Sequence, residues 1–285
     1  MGVITTAIVV VTAIGILCAV MLSVASKVMA VEVDERIPQV RECLPGANCG
    51  GCGFPGCDGY AAAMVEDEST PLNLCAPGGA AVAAKVAGVL GREAGEVVKS
   101  YARVNCLGTC DKTSKKMDYR GIGTCAAAKV MFAGDGACTF GCIGLGDCTR
   151  ACPSDAIHVI PGGIARVDIS SCTGCSACAK VCPNHVISVL PAAIKVQVSC
   201  SSRDKGAAVR KKCQAGCLGC GMCERKCPQG AIHVENNLAT IDYSKCVGCG
   251  TCQSVCPAKC IVDGPEGGPV KAAPGEGAVK AEATA

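Results

Sequence analysis

The residues in this chain with the most defined chemistry are its cysteines. Four runs end in Cys-Pro, at Cys152-Pro153, Cys182-Pro183, Cys227-Pro228 and Cys256-Pro257. Three of them read Cys-x2-Cys-x2-Cys-x3-Cys-Pro: Cys172, Cys175, Cys178 and Cys182; Cys217, Cys220, Cys223 and Cys227; Cys246, Cys249, Cys252 and Cys256. A [4Fe–4S] cube needs four thiolates at tetrahedral corners. A loop with cysteine at every third position supplies three to one cube while the fourth reaches a neighbouring cube. The proline fixes φ, lacks an N–H and turns the chain out of the ligand segment. Two facing runs therefore complete each other's clusters. The second pair predicts Cys217, Cys220, Cys223 and Cys256 on one cube, and Cys227, Cys246, Cys249 and Cys252 on another. The first pair predicts Cys152, Cys172, Cys175 and Cys178 on one cube, and Cys138, Cys142, Cys148 and Cys182 on the other. Its leading run, Cys138-x3-Cys142-x5-Cys148-x3-Cys152, reads as stretched by an insertion from Ile143 to Asp147.

A fifth cube is predicted on Cys49, Cys52, Cys57 and Cys75, where Gly50, Gly51, Gly53 and Gly56 let the backbone close in and aim N–H groups at sulfur. That leaves Cys18, Cys43, Cys106, Cys110, Cys125, Cys200, Cys213 and Cys260 of the 28 cysteines. Cys106, Cys110 and Cys125, with one of Cys200 or Cys213, either hold a sixth cluster or are buried thiols packed against the other cubes.

Composition supports metal over an ordinary core. The 285 residues include three Phe, four Tyr and no Trp, and aromatic rings carry much of the burial energy of small domains. So dense a cysteine content signals disulfides or metal, and cysteines three apart sit too close for a disulfide framework to satisfy them all. Zinc is the competing metal, but His158, His185 and His233 lack zinc-ligand spacing within the runs. A net charge of +3 gives no polybasic footprint, so nucleic acid is not an expected partner.

The elements that position these cysteines follow from patterning. Residues 3–26 carry no charge; as a helix they span about 36 Å, against roughly 30 Å of hydrocarbon. A signal peptide would have Lys or Arg before the apolar run and a shorter run, so an uncleaved membrane anchor is expected. Lys27 and the need for reduced thiols place the bulk of the chain on the cytoplasmic side of the cell membrane. A charged tether covers 28–42. A helix is expected from Tyr60 to Asp67, and two short helices across 79–103, broken near Gly91. After two of the Cys-Pro turns come hairpins, 156–160 against 164–167 and 231–234 against 239–241, with His158 and His233 at equivalent structural positions. The glycine-, proline- and alanine-rich tail, 264–285, is expected to be disordered.

The apolar N-terminal helix, then LPGANCGGCGFPGC with a downstream CAPGG, then the ferredoxin-type runs, resembles the RnfB family, the B subunits of the Rnf complex, over nearly all of residues 1–262. The resemblance implies an electron-transfer subunit of an ion-translocating (Na+ or H+) ferredoxin:NAD+ oxidoreductase. Its donor would be soluble reduced ferredoxin, and its partners the other membrane-bound subunits of the complex. No dinucleotide fingerprint and no catalytic residue stand out in this chain. The shorter members of that family carry one two-cluster module, whereas this chain carries two. The expected fold class is α+β: an anchor at 1–27, the tether at 28–42, and a Gly/Cys-rich [4Fe–4S] domain with its following helices at 43–103. Two tandem two-cluster ferredoxin-like modules follow, at 104–198 and 199–263. The alternatives are a free polyferredoxin serving another oxidoreductase and a zinc-stapled membrane scaffold.

Overall fold

The structure is a computed structural model that describes residues 2–28 and 34–264. The expected tail, apart from Gly264, and part of the expected tether lie outside the described residues. Helix α1 (Gly2–Val28) contains the apolar stretch Ile4–Val24, none of it covered by the rest of the chain. A helix satisfies its own backbone, so an apolar one of this length can lie in lipid.

Beyond residue 33 the segment read as a tether folds. Helix α2 (Arg36–Cys43) buries Val40, and Leu44 just past its end is buried too. Ile37, Val40 and Leu44, spaced three and four apart, form one helical face. They pack on α3 (Cys57–Glu66) and α4 (Gly79–Leu90) around Tyr60, Met64, Leu72 and Val86. The Tyr60 hydroxyl donates to the Pro71 carbonyl (2.6 Å) and accepts the Leu74 N–H (3.2 Å), so its buried oxygen is satisfied. Arg41 Nε pairs with Asp58 Oδ1 at 2.7 Å, tying α2 to α3.

Helix α4 stops where expected, at Gly91 in the left-handed conformation (φ +64°). The second helix expected before residue 103 does not form. That segment instead becomes β1 (Ser100–Val104). Next come α5 (Cys125–Val130), α6 (Asp147–Arg150), β2 (Ile157–Val159), β3 (Ala165–Val167), α7 (Ala177–Lys180) and β4 (Ile187–Pro191). β1 pairs antiparallel with β4, from Ser100↔Pro191 to Val104↔Ile187. Ala102 and Val104 are buried under that pairing, a long-range gain that overrides local helix propensity.

The path then repeats: β5 (Val196–Val198), α8 (Gly206–Lys212), α9 (Met222–Lys226), β6 (Ile232–Glu235), β7 (Leu238–Ile241), α10 (Thr251–Ser254) and β8 (Ile261–Asp263). β5 pairs with β8, while β2–β3 and β6–β7 are the two hairpins. Asn236 and Asn237, both at positive φ (49° and 63°), make the tight turn between β6 and β7. Each module thus has an inner hairpin and an outer ribbon joining its first and last strands. Its small core mixes aliphatic side chains with cysteines: Ile157, Ile164 and Val186 in the first, Ile232, Ile241 and Ile261 in the second. His158 and His233 face Arg166 and Thr240 across the hairpins.

Candidate iron–sulfur sites

All four runs share one backbone form. The third cysteine of each (Cys148, Cys178, Cys223, Cys252) lies in a short helix: α6, α7, α9 or α10. Two residues before it the chain is left-handed, at Gly146, Ser176, Gly221 and Gly250; four before, it is left-handed again, at Gly144, Gly174, Gly219 and Gly248. Glycine suits these positions because a Cβ is strained there. At Gly219 a Cβ would also approach the Asn237 carbonyl oxygen to 2.8 Å.

This register corrects the reading of the first run. Nothing is inserted between Cys142 and Cys148. Cys142 stands in the register of Cys172, Cys217 and Cys246, and Leu145 stands where the other runs have Cys175, Cys220 and Cys249.

The cavities group the cysteines accordingly. Cys227, Cys246, Cys249 and Cys252 line one, and Cys217, Cys220, Cys223 and Cys256 another, with Cys260 beside them. Cys152, Cys172 and Cys175 lie close enough to Cys178 to act on its charge, and Cys49, Cys52 and Cys57 do the same to Cys75. The remaining ferredoxin-type cavity is lined by Cys125, Cys142, Cys148 and Cys182. Cys138, grouped with the last three by spacing, instead lines a separate cavity with Cys106, Cys200 and Cys213. Cys125 comes from the first turn of α5. The Asp147 carboxylate accepts the backbone N–H groups of Cys125 and Ala126, both at 3.0 Å, and so holds that turn against α6. Cys106, Cys110 and Cys125 do not meet. Cys110 is exposed, and its N–H donates to the Gly162 carbonyl at 2.9 Å. The sequence signal for Cys125 is weak, because no run spacing ties it to Cys142, Cys148 or Cys182.

The donor sets fit cubes. Backbone N–H groups point at sulfur: Ala165 to Cys142 (3.4 Å), Ala156 to Cys152 (3.3 Å), Ala102 to Cys172 (3.5 Å) and Ala231 to Cys227 (3.3 Å). Such bonds favour negative charge on the ligated sulfur. Among the described residues no group of three or more His, Cys, Asp or Glu side chains is placed to hold a single metal ion. Burial pushes the free thiols of Cys142 and Cys178 up to about 12 and that of Cys148 up to about 11. A bound metal reverses that preference and favours the thiolate. In the second module the Cys260 thiol lies 3.6 Å from Cys256 Sγ. Hydrogen bonding by Cys260 draws Cys256 down to about 5 and lowers Cys217 as well.

Neighbouring sets abut. The Lys180 ammonium on α7 donates to the Gly50 carbonyl at 2.8 Å, and a Cβ on Gly51 would lie 2.6 Å from the Cys175 carbonyl oxygen. The N-terminal glycine-rich loop therefore sits directly on the loop of Cys172, Cys175 and Cys178, and Cys175 is buried. Cys220 and Cys249, at the same position in the second module, are exposed.

Paired Cys-x2-Cys-x2-Cys-x3-Cys loops on two-ribbon modules define an iron–sulfur electron-transfer protein of the dicluster ferredoxin type. Residues 141–186, 171–231 and 216–260 match the family described as "4Fe-4S dicluster domain", and residues 44–77 match "Putative Fe-S cluster". Among similar proteins, the B subunit of the proton-translocating ferredoxin:NAD(+) oxidoreductase complex of Clostridium ljungdahlii is 48% identical over 83% of each chain. The B subunit of the Na(+)-translocating complex of Acetobacterium woodii is 41% identical over 87% of this chain and 74% of its own. That of the ion-translocating oxidoreductase complex of Methanosarcina acetivorans is 41% identical over 86% of this chain and 92% of its own. The chain belongs to this family, the B subunits of the Rnf-type ion-translocating oxidoreductase complexes.

Proposed function

We propose that this chain takes electrons from reduced ferredoxin and passes them to the other subunits of a membrane-bound complex, which reduce NAD+ and move Na+ or H+. The observation that carries this reading is the contiguity of the cysteine sets, from a glycine-rich loop resting on the first module to exposed ligand positions on the second. Five sets of ligands are proposed: Cys49, Cys52, Cys57 and Cys75; Cys152, Cys172, Cys175 and Cys178; Cys125, Cys142, Cys148 and Cys182; Cys217, Cys220, Cys223 and Cys256; Cys227, Cys246, Cys249 and Cys252. When bound, the cubes supply reversible one-electron chemistry. The chain's own residues fix their order, exclude water through Ile157, Ile187, Ile232 and Ile261, and direct N–H groups at the ligand sulfurs.

Ferredoxin docks on the second module in this reading, because Cys220 and Cys249 are its exposed ligand positions, with Val247 and Met222 beside them at the surface. Helix α1 anchors the chain, with the cysteine-rich part on the cytoplasmic side, where thiols stay reduced. The test uses the complex in membranes. Val247→Glu is expected to slow NAD+ reduction driven by reduced ferredoxin several-fold while leaving bleaching by dithionite unchanged. An unaltered ferredoxin-driven rate would move the docking site elsewhere. A wild-type complex whose iron is not reduced by ferredoxin would overturn the function.

A further inference from the structure

A further cavity is lined by Cys106, Cys138, Cys200 and Cys213, which belong to none of the five sets, and is bordered by Cys142, which belongs to one of them. Sulfurs converge on it: a Cβ on Gly108 would lie 3.6 Å from Cys106 Sγ and 3.7 Å from Cys213 Sγ, and one on Gly141 would lie 3.6 Å from Cys106 Sγ.

These four cysteines form two equivalent pairs. Cys106 lies two residues past the end of β1 at Val104, and Cys200 two residues past the end of β5 at Val198. Cys138 and Cys213 each open a Cys-x2-Gly-Cys segment, Cys138-Thr-Phe-Gly-Cys142 and Cys213-Gln-Ala-Gly-Cys217. The hydrogen bonding repeats as well: the Cys142 N–H donates to Cys106 Sγ at 3.4 Å, and the Cys217 N–H to Cys200 Sγ at 3.2 Å. One pair comes from each module, so the cavity lies at the junction where the repeated modules face each other. The junction is clamped by Thr113 Oγ1 donating to the Lys212 carbonyl (2.8 Å), the Gln214 N–H to the Lys112 carbonyl (2.9 Å) and Ser201 Oγ to the Asn105 carbonyl (3.0 Å).

We propose that Cys106, Cys138, Cys200 and Cys213 hold a sixth [4Fe–4S] cluster that connects the two modules. The inference rests on reading the other sets as cubes. Cys142 and Cys217 each contribute a side chain to a neighbouring set and a backbone N–H to a thiolate of this one. The new site therefore lies between the set of Cys142 and the set of Cys217, and it makes one continuous series of six.

The test counts metal in the full-length protein purified without oxygen. About 24 irons per chain, with no stoichiometric zinc, are expected; about 20, with or without a zinc ion, would overturn the sixth cluster. Spin quantification by EPR after full reduction counts the clusters independently on the unmodified chain, and five spins in place of six would likewise overturn it. The variant Cys106→Ser/Cys200→Ser should lose about four irons and one set of EPR features, whereas Cys110→Ser should lose none. Full iron in the double variant would sink the assignment. Iron absent from the wild type altogether would instead end the reading of all the sets, so the two failures are distinguishable.

Discussion

In the second module the second cysteine of each run, Cys220 or Cys249, stands in solvent. In the first module the same two positions are closed. Cys175 lies under the N-terminal glycine-rich loop, and Leu145 stands in place of the cysteine, with Cys125 of α5 lining the cavity of Cys142, Cys148 and Cys182. The loops are otherwise alike, with left-handed residues four and two places before the third cysteine in all four. One loop form can thus build either an exposed terminus or an internal link. What decides is the element packed over its second ligand position.

The sharpest way to break this comparison is to move the ligand back. Cys125→Ser should remove about four irons per chain, and adding Leu145→Cys should restore them, since Leu145 holds the register of Cys220. Iron counting reads both results; full iron in Cys125→Ser alone would refute the substitution of one ligand for the other. Next in size is the loop geometry. Gly144→Val and Gly219→Val each force a β-branched residue to positive φ (81° and 61°). Each should lower stability by at least about 2 kcal/mol, seen as similar drops in Tm. A large drop in only one would show that the loops are not equivalent.

A smaller effect is expected at Asp147, which holds the Cys125 turn and has no counterpart role in the second module. Asp147→Ala should cost about 1 kcal/mol in lost capping and speed iron loss to a chelator from the first module alone, followed by the decay of its EPR features.

The smallest effect is in protons. Cys142 and Cys148, raised to about 12 and 11, are neutral thiols at neutral pH and must each release a proton on ligation. Cys256, lowered to about 5, is already ionised there and releases none. Calorimetry of cluster loading at about pH 7 should therefore find more protons released by the first-module site than by the Cys217–Cys256 site. Release from the first-module thiols should persist above about pH 9, where an ordinary thiol is largely ionised, and fade only as pH approaches their raised values. Equal release from both sites at neutral pH would contradict the contrast.

Much of the architecture is legible from local patterns. The three unbroken runs, the hairpins at Ile157–Val159 and Ile232–Glu235, helix α3 and the apolar span of α1 each depend on residues close in sequence. The parts that sequence misplaces depend on distant partners. Ser100–Val104 reads as helical because its partner, Ile187–Pro191, lies across the whole first module. The stretch before α3 reads as a tether because its few apolar residues gain value only against Tyr60, Met64 and Val86. Spacing draws Cys138 into the first run because it stands four residues from Cys142, although the left-handed positions at Gly144 and Gly146 set the register from the other side. The repeated Cys-x2-Gly-Cys segments are visible in the sequence, but only their shared hydrogen bonding gives them meaning.

The sequence by itself determined the kind of chemistry, since cysteine at every third position with a following proline commits a short loop to wrapping a polynuclear centre. It also determined that an apolar helix precedes the cysteine-rich part. Only the tertiary structure decided which thiols share a cavity. Cys125 lines one with Cys142, Cys148 and Cys182, and Cys106 and Cys138 line another with Cys200 and Cys213, through the packing of ribbons and modules. The reason is physical: spacing constrains ligands within one turn of chain, whereas a tetrahedral donor set closes in space, and distance along the chain says little about that closure.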